Sequence, residues 1–387
     1  MSPFLRFIAG CALAVLLAAA APAFAAQAGW RQITVPGLLN AQAPIPVILY
    51  YPTEAAERSI AMGPYLAHVA PQAPPDAAFK GLIVISHGLG GSELAHESLA
   101  EALARRGYLV AALRHPGDNW QDHSLIARGP AAYLDERARH VSRVLDALLG
   151  DPQWSDRVAR DARGPRVGAL GHSAGGYTVL ALAGGRFDLA RLHAHCDAHR
   201  AEDRIFCRRR GPAEPPPVDA SSLADPRVRA IVALAPIGAV FDPSSVERIT
   251  VPAAIYVAEK DRFLVPRFHG EWVAAHMPGA ALHVVPNAWH FAFVDTPSIP
   301  IPSDDGDLRD DPPGFDRQAF LRQLQSEGAS TRPGREHRST VPHARIRRRR
   351  DATVDLIAEG HGHALVDDLV DSRFTARAQS STFTAVY

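Results

Sequence analysis

Gly171-His172-Ser173-Ala174-Gly175-Gly176 limits what this chain can fold into more than any other stretch of it. It follows a short apolar run, Arg166 to Leu170, and opens a helix-like apolar run, Tyr177 to Ala183. A strand that turns at once into a helix crowds the residues beside the turn, and only glycine tolerates that crowding. The central serine is then strained, with its hydroxyl pushed into a cleft. The flanking strand and helix patterns, more than the G-x-S-x-G spacing itself, predict a nucleophile elbow.

The surrounding chain reads as a frame for such an elbow. Trp30 to Val35 and Ile45 to Tyr51 have strand character and should form an antiparallel edge around the Pro36-Gly37 turn signal. Residues 52 to 79, rich in Pro and Ala, read as a long loop. The strand Gly81 to Ser86, helix Leu94 to Arg106, strand Tyr108 to Leu113 and helix Tyr133 to Leu149 then lead to the elbow. Strands at Val228 to Ala235, Ala253 to Ala258 and Ala281 to Val285 follow, with a helix around Phe268 to His276 before the last of them. This alternation predicts an α/β fold with a mostly parallel sheet covered by helices on both faces. At 387 residues, 47% of them hydrophobic, the chain has enough apolar material for one large core.

Residues 186 to 226 interrupt the rhythm with charge, two cysteines and Pro215-Pro216-Pro217, and read as an insertion, a candidate lid. Beyond Leu324 the character changes again. Residues 325–387 carry Arg347-Arg348-Arg349-Arg350 with scattered Gly, Ser and Thr, and read as a poorly ordered tail.

Arg6, the apolar run Phe7 to Ala20 and the small-residue site Ala23-Phe24-Ala25 make residues 1–25 a secretory signal peptide, so the mature chain is expected in the periplasm or outside the cell. Ile8-Ala9-Gly10-Cys11 matches a lipoprotein cleavage box but lies before the apolar run rather than after it, so Cys11 is expected to be removed with the signal peptide. No later run reaches the roughly 20 apolar residues of a membrane span. The 41 basic residues are balanced by 41 acidic ones, which gives no field to hold nucleic acid. The remaining pair, Cys196 and Cys207, is expected to form a disulfide in an oxidising compartment. The rival is a metal set drawn from His193, His195, Cys196 and His199.

A serine hydroxyl is a weak nucleophile at neutral pH and needs a base, an orienter for the base, and donors for the oxyanion. In doubly wound hydrolases these come in the order serine, acid, histidine, each after a strand. Asp261 follows the Ala253 strand and His290 the Ala281 strand. Glu259 and Asp242 compete for the acid's role, and His283, His269 and His276 lie in strand or helix contexts that suit a base less well. The Ala174 N–H is the first expected oxyanion donor. The second should come from Ser86-His87-Gly88-Leu89-Gly90-Gly91-Ser92, with Leu89 preferred and Gly88 next. None of this chemistry calls for a metal or other cofactor.

His87-Gly88-Leu89-Gly90-Gly91, the elbow and Trp289-His290-Phe291 together resemble the α/β-hydrolase superfamily. Within it the chain resembles the bacterial predicted dienelactone hydrolases and the platelet-activating-factor acetylhydrolase-like esterases. The similarity runs from Trp30 to Leu324 and includes Asp311-Pro312-Pro313-Gly314-Phe315-Asp316-Arg317. It implies an eight-stranded hydrolase sheet, a triad of Ser173, Asp261 and His290, and cofactor-free hydrolysis of a small-molecule ester.

The chain departs from these relatives at three points. Dienelactone hydrolases use a cysteine nucleophile where Ser173 stands, so an acyl ester is expected rather than a lactone. The acetylhydrolases place the acid after the earlier strand, where this chain has Pro236. The closing helix, due near Arg317, has a pattern that stops within about two turns, as though the tail were an altered reading frame or an unrelated extension. The small elbow and polar insertion suggest short acyl groups. A catalytically silent binding protein and an acyltransferase are the alternatives.

Overall fold

The computed structural model describes residues 26–37, 42–208 and 223–327. The expected signal peptide, the proline run of the insertion and all of the tail beyond residue 327 lie outside them. Ten strands form one sheet: β1 (Gln27–Val35), β2 (Ile45–Thr53), β3 (Arg58–Met62), β4 (Tyr65–Pro71), β5 (Leu82–Ser86), β6 (Leu109–Leu113), β7 (Val167–His172), β8 (Val228–Leu234), β9 (Ala253–Ala258) and β10 (Ala281–Val285). Their spatial order is β10-β9-β8-β7-β5-β6-β2-β1-β4-β3. The six strands from β10 to β6 are parallel, and β2 runs antiparallel to both of its neighbours.

Eight of these strands are the ones the sequence predicts, and β1 and β2 pair as expected over the register Gln27↔Thr53 to Val35↔Ile45. The expected loop over 52–79 is a correction. Arg58–Met62 and Tyr65–Pro71 form a hairpin that adds two strands beyond β1, so β1 is not the edge. Its alternation is hidden in the sequence because small Ala67 faces inward while Leu66 is 68% exposed, the reverse of the usual contrast between sheet faces.

Helices cover both sides of the sheet: α1 (Glu97–Arg105), α2 (Pro130–Gly150), α3 (Ala174–Leu182), α4 (Leu189–His199), α5 (Arg204–Arg208), α6 (Gly270–His276) and α7 (Arg317–Glu327). In α2 the buried residues Leu134, Ala138, Val141, Leu145 and Leu148 recur at spacings of three and four, which makes one apolar stripe. It packs with α3 on one face of the sheet. Leu99 and Leu103 of α1 and Leu321 and Leu324 of α7 cover the other face. The closing helix is longer than its pattern suggests. It spans 11 residues and is held at its start by Arg317, which donates to Asp311 at 2.9–3.1 Å and to the Leu308 carbonyl at 2.7 Å.

Helices α4 and α5 come from the insertion, and the disulfide between Cys196 and Cys207 ties them together. The fold thus gathers the chain segments that follow β5, β7, β9 and β10 at the carboxyl ends of parallel strands, where clefts form in open α/β sheets.

Candidate active site

The elbow is built by close backbone approach. A Cβ on Gly171 would lie 2.0 Å from the Gly175 carbonyl oxygen, and one on Gly175 would lie 1.9 Å from the Ser86 carbonyl oxygen. Any side chain there would force β5, β7 and α3 apart. Ser173 between them has φ 57° and ψ −114°, the strained left-handed region that a non-glycine residue adopts only when its surroundings impose it. Those surroundings are visible. Its N–H donates to the Leu234 carbonyl at 2.9 Å, and its carbonyl accepts from Tyr177 N–H at 3.1 Å and Ile237 N–H at 3.2 Å.

Ser173, Leu89 and His290 line one cleft of about 1150 Å³. Its other walls are mainly apolar, among them Trp120, Tyr133, Phe206, Ile237 and Phe291. Phe206, with Leu192 and Ile205, belongs to the insertion, which therefore borders the cleft directly.

Asp261 lies behind His290. Its Oδ2 accepts from His290 Nδ1 at 2.7 Å, and its Oδ1 accepts from the N–H groups of Phe263 and Leu264, both at 2.8 Å. A carboxylate has only acceptors to offer, so the proton resides on Nδ1 and leaves a lone pair on Nε2. Phe263 stacks on the imidazole with ring centroids 5.0 Å apart and planes at 20°. His290 is 2% exposed, which keeps the ring away from competing water.

The competing residues are occupied elsewhere. Glu259 accepts from Asn287 N–H at 2.7 Å, and Asp242 caps the turn at Ser244 while pairing with Arg186 at 2.7 Å. His283 stacks on Tyr256, and His276 donates from Nδ1 to the Trp272 carbonyl one helical turn back at 2.8 Å. His269 donates from Nε2 to Asp203 at 2.8 Å.

Asp203 also accepts from His195 Nε2 at 2.8 Å. Burial alone would raise its pKa, but the hydrogen bonds from His195 and His269 outweigh that and hold it at about 2. His195, Asp203 and Cys207 offer atoms within 4.8 Å of one another. The Cys207 sulfur is bonded to Cys196, however, and His199 turns to Glu202 at 3.1 Å, so the metal set drawn from the sequence is not assembled. The cluster instead pins the insertion to the turn before α6.

The two expected oxyanion donors have definite orientations. Ala174 opens α3, so its N–H belongs to the first turn, where no intrahelical acceptor exists. The Gly88 carbonyl accepts from Gly91 N–H at 3.1 Å and from His87 Nδ1 at 2.6 Å. In a planar trans peptide the C=O and N–H point in opposite directions, so the Leu89 N–H of that unit faces away from the loop's interior.

Several participants were missed in the sequence. His172 donates from Nε2 to the His290 carbonyl at 3.0 Å. It is buried, and burial first, then His290 and His96, lower its pKa well below the usual histidine value, so it is neutral. Arg137 and Asp118 form a fully buried ion pair beneath the Gly88 loop. A signal for Arg137 existed: it stands three residues after Leu134 and four before Val141, on the apolar stripe of α2.

No protein-family profile and no curated protein matches the chain. Among solved structures it is similar to a ferulic acid esterase from Streptomyces cinnamoneus, at 22% identity over 71% of this chain and 78% of that one, with a TM-score of 0.49. It is also similar to a dienelactone hydrolase from Anabaena variabilis, at 15% identity over 78% of this chain and 96% of that one, with a TM-score of 0.44. The strand order and the elbow define the fold independently of these likenesses.

Proposed function

We propose that this chain, an α/β-hydrolase fold by its strand order and elbow, is an exported serine esterase. The observation that carries the reading is the His290 Nδ1 to Asp261 Oδ2 hydrogen bond of 2.7 Å, buried at the wall of the cleft that Ser173 lines. In this mechanism the His290 Nε2 lone pair takes the Ser173 proton as Oγ attacks the ester carbonyl. Asp261 stabilises the imidazolium so formed, and the Leu89 and Ala174 N–H groups receive the oxyanion. Protonated His290 then gives its proton to the departing alcohol, and water, activated by the same ring, clears the acyl-enzyme.

The cleft supports a larger substrate than the short acyl ester expected from the sequence. About 1150 Å³ bounded by aromatic and aliphatic side chains has room for a bulky apolar group on the acyl or the alcohol side. Export rests on the signal-peptide pattern of residues 1–25. An acyltransferase would share every step up to the acyl-enzyme.

Labelling of the purified protein with a fluorophosphonate probe, beside Ser173→Ala and His290→Ala variants, tests the proposal. Labelling confined to chains with intact Ser173 and strongly slowed without His290 is expected. An unlabelled wild type would overturn the assignment and favour a silent binding protein.

A further inference from the structure

Arg137 is the largest fully buried side chain in the described protein, and its guanidinium has a set of partners that packing alone does not call for. From α2 its Nη1 donates to Asp118 Oδ2 and one Nη2 bond goes to the His87 carbonyl. Nη2 also reaches Ser86 Oγ at 3.2 Å, and Nε reaches Thr178 Oγ1 at 3.2 Å. Asp118, itself 0% exposed, accepts from Gly90 N–H through its other oxygen at 2.6 Å.

These bonds converge on one short piece of chain. Arg137 holds the carbonyl of the peptide unit before Gly88, and Asp118 holds the N–H of the unit after Leu89. The unit between them carries the Leu89 N–H. Thr178 Oγ1 in turn donates to the Ala174 carbonyl at 3.0 Å, so the same guanidinium also braces the residue that supplies the other N–H.

A buried ion pair is a weak source of stability, because the desolvation of both charges cancels most of their attraction, and well-packed apolar residues serve a core at least as well. What the pair does supply is geometry: a planar fork that fixes several acceptors at once. We propose that Arg137, together with Asp118, is a positioning residue for the oxyanion site, clamping the two peptide units that flank the Leu89 N–H so that it stays aimed into the cleft. This rests on the serine-esterase reading above, in which Leu89 and Ala174 receive the oxyanion.

Arg137→Lys keeps the charge opposite Asp118 but replaces the fork by a single ammonium that cannot reach Asp118, His87 and Thr178 together. Asp118→Asn is nearly isosteric and keeps an oxygen for Gly90 N–H while removing the charge that aligns Arg137. In the full chain, turnover of p-nitrophenyl butyrate is measured per active site titrated with the fluorophosphonate, together with KM and inhibition by phenylboronic acid, whose serine adduct is tetrahedral and anionic.

Arg137→Lys is expected to lose about 10- to 100-fold in kcat per titrated site, with KM within about threefold of wild type. Boronate inhibition should weaken by the same factor as kcat. Asp118→Asn is expected to lose about 10-fold in kcat in the same pattern, and it carries the test should Arg137→Lys fail to fold. A purely structural role would lower the melting temperature and the number of titratable sites while each surviving site turned over normally and bound boronate as wild type does, and that result would overturn the proposal. A wild type that neither labels nor hydrolyses the ester would instead overturn the esterase reading and this inference with it. That failure is separate because it appears before any substitution.

Discussion

His172, one residue before the elbow serine, donates from Nε2 to the backbone carbonyl of His290 at 3.0 Å, so the residue beside Ser173 holds the loop that carries the proposed base. The two rings also lie 4.7 Å apart, centroid to centroid. Because one side chain spans from β7 to the loop after β10, the elbow and the base loop share one position rather than two independent ones.

Replacing His172 by Ala should therefore leave Ser173 in place but loosen His290. We expect a fall in kcat of about 10-fold or more, since errors of about 1 Å in catalytic geometry are costly, with little change in KM. Gln, which can donate to the same carbonyl, should recover part of it. Steady-state kinetics of the two variants would decide this, and equal activity of His172→Ala and wild type would refute the link.

Asp261→Asn should fold, because an amide oxygen can still accept from the Phe263 and Leu264 N–H groups. Its NH2 group would then face His290 and favour the tautomer with the proton on Nε2, which cannot accept from serine. A loss in kcat of roughly 10,000-fold is expected, measurable with any chromogenic ester and accompanied by an unchanged circular dichroism spectrum.

Gly175→Ala would bring a methyl group to 1.9 Å from the Ser86 carbonyl oxygen, a backbone atom that cannot move aside. Overpacking costs about 1–3 kcal/mol where side chains can yield, and more is expected here. The variant should melt well below wild type or accumulate insoluble, whereas Ala at Gly150, with open space around it, should be tolerated.

Stability should fall on mild acidification. Burial is the leading cause that lowers the pKa of His87, His96, His115, His140 and His172, His96 to about 4 and His140 to about 3. Below about pH 6.5 the unfolded chain protonates these five histidines while the folded chain does not, so each favours unfolding by about 1.4 kcal/mol per pH unit. Buried carboxyl groups act in the opposite sense. Burial raises Glu97 to about 8 and Asp295 to about 6 and raises Glu101 as well, so the folded chain holds their protons longer and loses stability as pH rises from the usual carboxyl range through these values. Asp76 and Asp305, more exposed, are raised in the same sense, so the clearest effect lies where the five histidines first charge in the unfolded chain: melting temperature should drop from about pH 6.5 toward 5.5 and decline more gently from 6.5 toward 8. Thermal melts across that range would show it, and a maximum at or below about pH 5.5 would contradict it.

Reduction of Cys196–Cys207, or Cys196→Ser, should loosen α4 and α5 more than the sheet. A disulfide closing a loop of this size, with a sequence separation of 11, contributes about 2–3 kcal/mol in the chain-entropy account. Proteolysis confined to the insertion, with the sheet still protected, is the expected outcome. His195 and His269 on Asp203 should keep part of the anchorage.

Much of this protein was legible because the signals are local. The elbow needs glycine where backbones touch, the parallel strands need unbroken apolar runs, and Asp261 and His290 fall at strand ends in a fixed order. Those requirements act within a few residues of chain and leave their mark on composition. The β3–β4 hairpin escaped because small Ala67 points inward while its neighbour Leu66 points outward, so the usual contrast between faces was blurred.

Only the tertiary structure could reveal the partners of a buried polar group. Arg137 meets the Gly88 loop across some 50 residues, and His172 meets His290 across 118. Such bonds depend on where the whole sheet delivers two distant loops, and no spacing in the sequence encodes that. The same reason governs the cleft. Its lining comes from many separate loops and the insertion, so the sequence by itself determined which polar side chains stand at the strand ends, while the packing of distant segments decided the size and character of the space around them.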